Sequence, residues 1–475
     1  MNRTNDSLSL ANSQLAPLDG KQKIALVFAG LAILCLLFAL LGWSNGNPLP
    51  FMLAFFTSGA ISVALYTNAL YGGKTEGIKN DGVWFRSFTS KGTWAWIFGI
   101  VITGFYVALY WFPQWLGYND GGTSTSLVRL FDPLSFAITG QAATQWFLYG
   151  ALYTFLILIL GAKFIVKYRN NRYQIIRTVS VMFFQLCFAF MLPEILKWFN
   201  SDLPWMDLKN MWPLNYYFFD SYNLNALINP EWKNGAASIL NPKTGWFGLG
   251  LLLFGLAMVL VISPILTYFF GKRWYCSWVC GCGGLAETAG DSFRHLSDKS
   301  MKAWKVERWM IHSVLVFVTI MTAWVIYTYF TGKDLLGISS NGLRQTYGFL
   351  IGAAFSGVVG VGFYPLMGSR VWCRFGCPMA AILGIQQKFF SRFRITTNGG
   401  QCISCGNCST HCEMGIDVKA YAQKGQNIVR ASCVGCGICA AVCPRGVLKL
   451  ENGPTNDKTE VMPFHIGRDE VTVLN

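Results

Sequence analysis

The first 370 residues are dominated by long apolar stretches that short polar connections separate. Because a helix needs about 20 apolar residues to cross a bilayer, each such stretch is a candidate span. The eight candidate spans are residues 23–43, 49–71, 93–116, 143–166, 178–200, 247–270, 308–330 and 347–368. The first span has a long apolar run without a clear small-residue cleavage site, so we interpret it as a span rather than a signal peptide. The pattern predicts a polytopic α-helical membrane protein with about eight transmembrane helices.

The distribution of Lys and Arg predicts which side of the membrane each connection faces. One alternating set of connections contains nineteen of these residues, and the other set contains six. Since cytoplasmic loops carry the excess of basic residues, both termini are predicted to be cytoplasmic, in a bacterial inner membrane. The net charge of +15 is then explained by topology and by attraction to anionic lipid. We expect membrane lipid as a partner, and no nucleic acid.

Two cysteine runs near the end of the chain share one spacing, C-x2-C-x2-C-x3-C. The second run ends in Cys443 and Pro444, whereas Glu413 follows the first run where proline is usual. Bacterial ferredoxins use this spacing, because three thiolates wrap one iron–sulfur cubane and the fourth ligates the other. We predict two 4Fe–4S clusters with crossed ligand sets, Cys402, Cys405, Cys408 and Cys443 for the first and Cys412, Cys433, Cys436 and Cys439 for the second.

Zinc and disulfides are the alternatives to iron–sulfur clusters. A structural zinc ion takes four ligands in two pairs, whereas these runs offer eight thiols in two matched sets. Disulfides belong to oxidising compartments, and three cysteines two residues apart do not all pair neatly. The eight thiols therefore favour clusters on the cytoplasmic side, where cysteine stays reduced.

Two further cysteine pairs follow predicted spans. Cys276 and Cys280 follow the sixth span, with Cys282 two residues later, and Cys373 and Cys377 follow the eighth. A helical C-x3-C puts two thiols on one face, one turn apart. Four such thiolates could hold a metal or a third cluster, or could form a redox-active disulfide. The alternative is that they are small buried packing residues.

These elements divide the chain into six parts. The loop after the fifth span is rich in Trp, Tyr and Asn, as segments at a membrane interface often are. The parts are a cytoplasmic N-terminal tail (1–22), transmembrane helices 1–5 (23–200), an extracytoplasmic loop (201–246), transmembrane helices 6–8 with the C-x3-C pairs (247–395), a small α+β two-cluster ferredoxin-like domain (396–450) and a polar tail (451–475).

Residues 247–450, with two C-x3-C pairs and a terminal two-cluster ferredoxin run, resemble the membrane polyferredoxins of the NapH and NosR type. The copper-reducing CcoG-type proteins are more distant relatives. The resemblance implies that the eight ferredoxin cysteines bind two 4Fe–4S clusters and that the two pairs take part in electron transfer. It also implies that the protein serves a periplasmic nitrate reductase or nitrous-oxide reductase system.

The chain departs from that family in three respects. Gly281 and Cys282 follow the first pair where proline is expected, which puts the ligand set of that pair in doubt. The extracytoplasmic flavin domain of NosR-type proteins is missing, and no threonine-bearing attachment segment stands out, so covalent FMN is not expected. The immunoglobulin-like domain of CcoG-type proteins is missing too.

Histidine usage limits the other cofactors. The chain has four histidines, and His312 alone lies in a predicted span, so a bis-histidine haem is excluded. No CxxCH occurs for a c-type haem, and no GxGxxG fingerprint indicates a nicotinamide site. Quinone is the remaining candidate, and it needs a proton acceptor near the membrane surface. Ionisable residues in spans are often functional, which makes Glu194 and His312 the candidates.

We therefore expect a membrane electron-transfer protein that connects the quinone pool, or a cytoplasmic donor, with redox protein partners of a respiratory reductase system. The alternative is a maturation factor that supplies reducing equivalents to a metal centre, such as copper, of a partner enzyme. The sequence does not separate a pure carrier from a subunit of a quinol dehydrogenase.

Overall fold

The computed structural model describes residues 18–73, 92–121, 123–199, 210–219, 245–334 and 339–453, positions 224, 225, 227 and 337, and strands at 464–466 and 471–473. Most of the predicted N-terminal tail, extracytoplasmic loop and polar tail lies outside the described residues. In the predicted tail, the strands Phe464–Ile466 and Val471–Val473 pair as an antiparallel hairpin.

Helices account for most of the described chain. They are α1 (Gly20–Leu40), α2 (Pro48–Tyr71), α3 (Thr93–Trp111), α4 (Ser126–Arg129), α5 (Asp132–Thr139), α6 (Gln145–Lys167), α7 (Arg172–Leu196), α8 (Trp246–Phe270), α9 (Arg273–Cys276), α10 (Gly281–Thr288), α11 (Met301–Thr331), α12 (Ser340–Tyr347), α13 (Tyr364–Met367), α14 (Val371–Phe375), α15 (Pro378–Phe389), α16 (Asn407–Thr410), α17 (Val418–Gln423) and α18 (Ile438–Ala441). The strands are β1 (Phe393–Thr397), β2 (Leu448–Asn452), β3 (Phe464–Ile466) and β4 (Val471–Val473).

Seven of the described helices are long and apolar enough to cross a membrane, namely α1, α2, α3, α6, α7, α8 and α11. They correspond to the first seven predicted spans, so the chain is a multi-pass membrane protein. The eighth predicted span has a different form. There, α12 continues through π-helical turns at Gly348–Val359, and the chain turns before α13. The apolar helical segment is shorter than predicted, because it ends at Val359 where the prediction continues to residue 368.

The outer surface of these helices is apolar. At most 28% of the residues in the most apolar stretch of each of the seven helices are buried inside the protein. Val27, Leu260 and Ile100 are each about two-thirds exposed. Exposed aliphatic side chains of this kind are stable only against lipid, since water would make the same surface costly.

Local sequence signals explain where several helices begin and end. Asp19 forms a capping box with Gln22 at the start of α1, and the Ser300 hydroxyl accepts the Ala303 N–H at the start of α11. Helix α11 is followed by Gly332, whose φ is 67°. A residue with a side chain would adopt this left-handed conformation only at a cost in free energy. These helix ends are therefore determined locally, before any tertiary contact.

The C-terminal ferredoxin segment (residues 393–453) is a small α+β unit closed by a two-stranded sheet. Strands β1 and β2 are antiparallel, with Phe393 opposite Asn452 and Thr397 opposite Leu448. The sheet joins the entry and the exit of the segment, so both cysteine runs lie inside one closed loop of chain. The predicted small α+β domain is confirmed.

Among the described residues, four side chains of the membrane part donate hydrogen bonds to carbonyls of the loop 433–436. The bonds are Ser277 Oγ to Val434 O (2.9 Å), Gln387 Nε2 to Cys433 O (2.8 Å), Gln174 Nε2 to Cys436 O (2.8 Å) and Tyr173 OH to Gly435 O (2.8 Å). The donors lie in α7, in the connection between α9 and α10, and in α15. The second cysteine run is therefore fixed against three elements at once.

Seven buried charged side chains, which we call the ionic network, join the two parts of the molecule. They are Lys167, Arg177, Glu287, Asp291, Arg294, Arg370 and Glu413, and none is more than 9% exposed. Glu413 of the ferredoxin segment pairs with Arg294 (3.2 Å) and Arg370 (2.9 Å) of the membrane part. Because an isolated buried charge is very costly, each member depends on the others.

We expect Glu413→Gln and Glu413→Pro to destabilise the docked ferredoxin segment by about 3–5 kcal/mol, because Arg294 and Arg370 would be left buried without their carboxylate. Glu413→Pro restores the proline that is usual in ferredoxins. If this variant also loses its clusters at a lower temperature, the loss results from weaker docking and not from poorer wrapping of the clusters. The measurement is the temperature at which visible cluster absorbance is lost in detergent. The control is Glu451→Gln in β2, where the carboxylate is exposed. Equal midpoints for the variants at 413 and at 451 would contradict the expectation.

Burial by itself raises the pKa of Asp291, but Lys167 (2.8 Å) and Arg294 (3.0 Å) outweigh burial and hold that pKa below its usual range. A depressed folded pKa means that the stabilisation is fully present above the unfolded pKa of about 3.9 and is lost only as the pH falls through the folded value.

Asp291→Asn should therefore lower the free energy of unfolding equally at about pH 6 and about pH 8, since the carboxylate is charged at both. Chemical denaturation followed by near-ultraviolet circular dichroism measures it, with the exposed Asp120→Asn as control. A loss that differs between the two pH values would show that Asp291 titrates in this range.

Candidate functional site

The two cysteine runs of the ferredoxin segment have the same backbone form, with an offset of 31 residues. The third cysteine of each run, Cys408 or Cys439, lies in a short helix, α16 or α18. Each helix begins after a left-handed glycine, Gly406 (φ 79°) or Gly437 (φ 76°). A chain that wraps closely around a compact group needs such conformations, which explains why glycine is required at both positions.

The eight thiols separate into two groups. One small cavity is lined by Cys402, Cys405, Cys408 and Cys443, and a second is lined by Cys412, Cys433, Cys436 and Cys439. The fourth cysteine of each run thus lies with the first three of the other run. These are the sets that a crossed ligation of two clusters requires.

The buried thiols of the second group need a bound cation in order to ionise at neutral pH. Burial raises the pKa of Cys433 to about 11 and that of Cys436 to about 12, so neither would ionise at neutral pH without a cation. Iron would supply that cation, and binding would release the protons. The Ile416 N–H also donates to Cys412 Sγ at 3.4 Å, a contact that strengthens when sulfur carries negative charge.

The two thiol groups differ in exposure. Cys405 is exposed, and its neighbour Ile403 is 56% exposed. Cys433 and Cys439 are buried, and their loop lies against the membrane part. The first group is therefore the outer end of the ferredoxin segment, and the second group is the inner end.

The C-x3-C pairs also adopt one repeated form. Cys276 ends α9 and Cys280 precedes α10; likewise Cys373 lies in α14 and Cys377 precedes α15. The Ala380 N–H donates to Cys377 Sγ at 3.4 Å, so the N-terminus of α15 points at a sulfur. Helix N-termini stabilise thiolate because the backbone N–H groups and the helix dipole carry positive charge there.

The structure brings the two pairs together. All four thiols are 6–7% exposed and belong to one continuous buried cluster that also contains Cys433 and Cys439. Cys282 hydrogen-bonds with Cys280 and lies in the field of Cys373 and Cys377. Among the described residues, no three Cys, His, Asp or Glu side chains are spaced for a single metal ion. A four-iron cluster holds its thiolates farther apart than one ion does.

Arg370 lies between the paired thiols and the ferredoxin segment. Its guanidinium is 3.7 Å from Cys373 Sγ, donates to Cys276 O at 3.3 Å and pairs with Glu413, which follows Cys412. One buried cation therefore touches both C-x3-C pairs and the second cysteine group of the ferredoxin segment.

A cavity of about 570 Å³ reaches the paired thiols from within the membrane helices. Its lining includes Glu194 of α7, Trp146 and Tyr153 of α6, and the thiols Cys280 and Cys282. A volume of this size accommodates a small organic molecule, and mostly apolar walls with a few polar groups are typical of such sites.

His312, the other predicted proton acceptor, lies elsewhere. It lines a second cavity of about 300 Å³ beside Cys373, between α11 and α15. Glu194 and His312 therefore do not share a site, and Glu194 is the one that shares a cavity with Cys280.

Sequence reasoning missed the ionic network. Arg370 had a signal, because an arginine precedes each C-x3-C pair, and Glu413 had one, because it replaces the usual proline. Glu287 has no local signal, and the spacing of Tyr153 on α6 did not suggest a cavity wall. Only the packing of the helices identifies these two.

Comparison with protein families assigns the cysteine-containing regions. Residues 401–448 match the model described as a 4Fe-4S dicluster domain. Residues 251–300 and 349–396 match the model described as a 4Fe-4S binding domain, and each stretch contains one C-x3-C pair. No solved structure gives a significant match.

Two relatives are similar over about a third of this chain. The "Putative electron transport protein YccM" of Escherichia coli (strain K12) is 25% identical over 174 residues, which are 35% of this chain and 48% of that protein. The "Uncharacterized protein MJ0749" of Methanocaldococcus jannaschii is 26% identical over 164 residues, 33% of this chain and 58% of that protein. The chain thus spans about half the length of the curated relatives that it matches.

These matches and the membrane helices together give a coarse identity. The chain is a membrane protein with 4Fe–4S ferredoxin-type domains, distantly similar to that electron transport protein.

Proposed function

We propose that this chain passes electrons between a quinone, bound in the cavity beside Cys280, and a redox protein at the exposed end of the ferredoxin segment. The observation that carries this proposal is the 570 Å³ cavity, whose lining includes both a carboxylate, Glu194, and two thiols of the C-x3-C region. A site with both a proton acceptor and an electron acceptor is what quinol oxidation needs.

Three clusters form the path. Cys276, Cys280, Cys373 and Cys377 are proposed as the ligands of a membrane-side 4Fe–4S cluster, in addition to the two crossed sets of the ferredoxin segment. Support comes from the 4Fe-4S binding domain match over both pairs and from the shared burial of the four thiols. When bound, each cluster supplies a one-electron redox centre. Cys282 stays outside the set, because it has no counterpart after Cys377.

At the quinone end, the oxidation of one quinol releases two electrons and two protons. Glu194 accepts the two protons in turn, releasing the first to water before it takes the second, and the two electrons leave one at a time toward the cluster that Cys280 would hold. In the reverse direction Glu194 returns the protons. The aromatic side chains Trp146 and Tyr153 line the same cavity and offer flat surfaces against which the quinone ring packs.

The ionic network lies where electrons pass from the C-x3-C pairs to the second cysteine group. Its four cations outnumber its three carboxylates by one, and Arg370 is 3.7 Å from Cys373 Sγ. Net positive charge and hydrogen bonds to cluster sulfur favour the reduced state. The network therefore both holds the ferredoxin segment in place and makes the inner centres easier to reduce.

The exposed end of the ferredoxin segment is the proposed contact with a redox partner. Cys405 and Ile403 are exposed there, and Lys419 and Arg445 line the same cysteine cavity. With the basic connections on the same side, this end faces the cytoplasm. A nitrate or nitrous-oxide reductase system as the final partner rests on the family resemblance alone.

Glu194→Gln should slow cluster reduction by a quinol analogue by at least about tenfold, because positioned proton acceptors contribute factors of that size or more. Stopped-flow bleaching of the visible absorbance in lipid nanodiscs measures it. Glu194→Asp, which keeps the carboxylate, should retain most of the rate. Equal rates for the Gln variant and the wild type would remove Glu194 from the path. No bleaching by quinol in the wild type, with reduction of copper ions by the dithionite-reduced protein, would instead support the maturation role.

Replacing both Cys373 and Cys377 by Ser should lower the iron content from about twelve to about eight atoms per chain, since one of three four-iron clusters loses two ligands. Iron analysis and low-temperature electron paramagnetic resonance after dithionite measure the change. Cys187→Ser, a cysteine of α7 outside the buried cluster that contains the four paired thiols, is the matched control. Unchanged iron content and quinol-driven bleaching in the Cys373/Cys377 variant would show that this pair is packing only.

A further inference from the structure

The cavity of about 300 Å³ between α11 and α15 has a strongly cationic lining. Lys272, Arg308, Lys388 and Arg430 line it, together with one carboxylate, Glu307. That carboxylate is already paired with Arg374 at 3.1 Å, so it does not neutralise the four cations. The cavity is therefore electropositive, and a neutral quinone would not use this feature.

Lys272 is the buried cation of the cavity lining. Its side chain is 1% exposed, and its charge acts on Glu307, the carboxylate of the same lining. Because Glu307 also pairs with Arg374, the lining keeps an excess of positive charge that suits an anion. Lys272 also lies in the field of Cys276 and Cys433, so its charge serves the cluster thiols on that side.

The cavity wall is aromatic as well as cationic. Trp304 has the guanidinium groups of Arg430 and Arg308 over its ring, at 4.4 and 5.2 Å from the centroid. This stacking holds two cations in fixed positions at the side of the cavity. Fixed guanidinium groups are suited to phosphate oxygens.

Exposed apolar side chains adjoin the cavity lining. Phe389 lines the cavity and is 64% exposed, and Trp309 and Phe390, each next to a lining residue in the chain, are 79% and 65% exposed. A soluble anion would leave these side chains uncovered, whereas an acyl chain would cover them. The lining cations Arg308 and Lys388 are themselves exposed, on the side of the membrane that carries the basic connections.

We propose that this cavity binds the phosphate headgroup of one anionic phospholipid, whose acyl chains lie on the apolar surface beside the cavity. The phosphate lies among Lys272, Arg308 and Lys388. The site is separate from the proposed quinone cavity, and it goes beyond the electron-transfer function.

The test is native mass spectrometry of the delipidated full chain, titrated with phosphatidylglycerol or phosphatidylcholine. The wild type should retain one phosphatidylglycerol. Arg308→Gln with Lys388→Gln should weaken that binding roughly thirtyfold, from the contribution of two cations near a lipid headgroup. The control removes the same number of charges outside the cavity, because Lys302→Gln with Lys305→Gln changes two exposed lysines of α11 that do not line it.

A second variant separates the cavity from general surface charge. Ile385→Trp fills the cavity without changing charge, so it should also abolish retention, while visible cluster absorbance confirms that each variant is folded. Equal weakening in the two double variants, or equal retention of phosphatidylcholine and phosphatidylglycerol, would overturn the proposal. Binding of inorganic phosphate to the delipidated protein without retention of phosphatidylglycerol would overturn it too, because the occupant would then be a soluble anion.

Discussion

The structure depends on the burial of Glu413 between Arg294 and Arg370. A carboxylate without access to water is tolerable only when cations replace its hydration, and here two guanidinium groups at 3.2 and 2.9 Å do so. Both arginines belong to the membrane part and Glu413 belongs to the ferredoxin segment. The pairing therefore forms only when the segment is docked. The relative position of the two parts thus depends on the pairing of buried charges as well as on apolar contact.

Docking of this kind orders the thiol groups. The loop 433–436 is held by hydrogen bonds from the membrane part, so the inner cysteine group adjoins the C-x3-C pairs, and the exposed Cys405 is left at the far end. Electron transfer falls steeply with distance, and a carrier that spans a membrane surface must keep its centres in sequence without relying on diffusion. A fixed interface with buried charge is a physical way to do so.

Features with a local or periodic signal are predictable from the sequence alone. Apolar runs of about 20 residues identified seven spans, because a bilayer imposes that length. The eighth predicted span, residues 347–368, differs in form from its prediction. The polar residues Ser340–Tyr347 and the apolar turns that follow them belong to one helix. The cysteine spacing identified an iron–sulfur segment, because the geometry of a cubane dictates the number of residues between its ligands.

The sequence by itself determined the membrane class, the two cysteine runs and the existence of the C-x3-C pairs, since each follows from spacing along the chain. Tertiary structure alone decided that the two pairs meet, that Glu194 shares a cavity with Cys280 while His312 does not, and that Glu287 and Asp291 complete a buried ionic network. These residues are far apart in sequence, and their proximity results from how helices pack. Neither composition nor periodicity of a single helix contains that information.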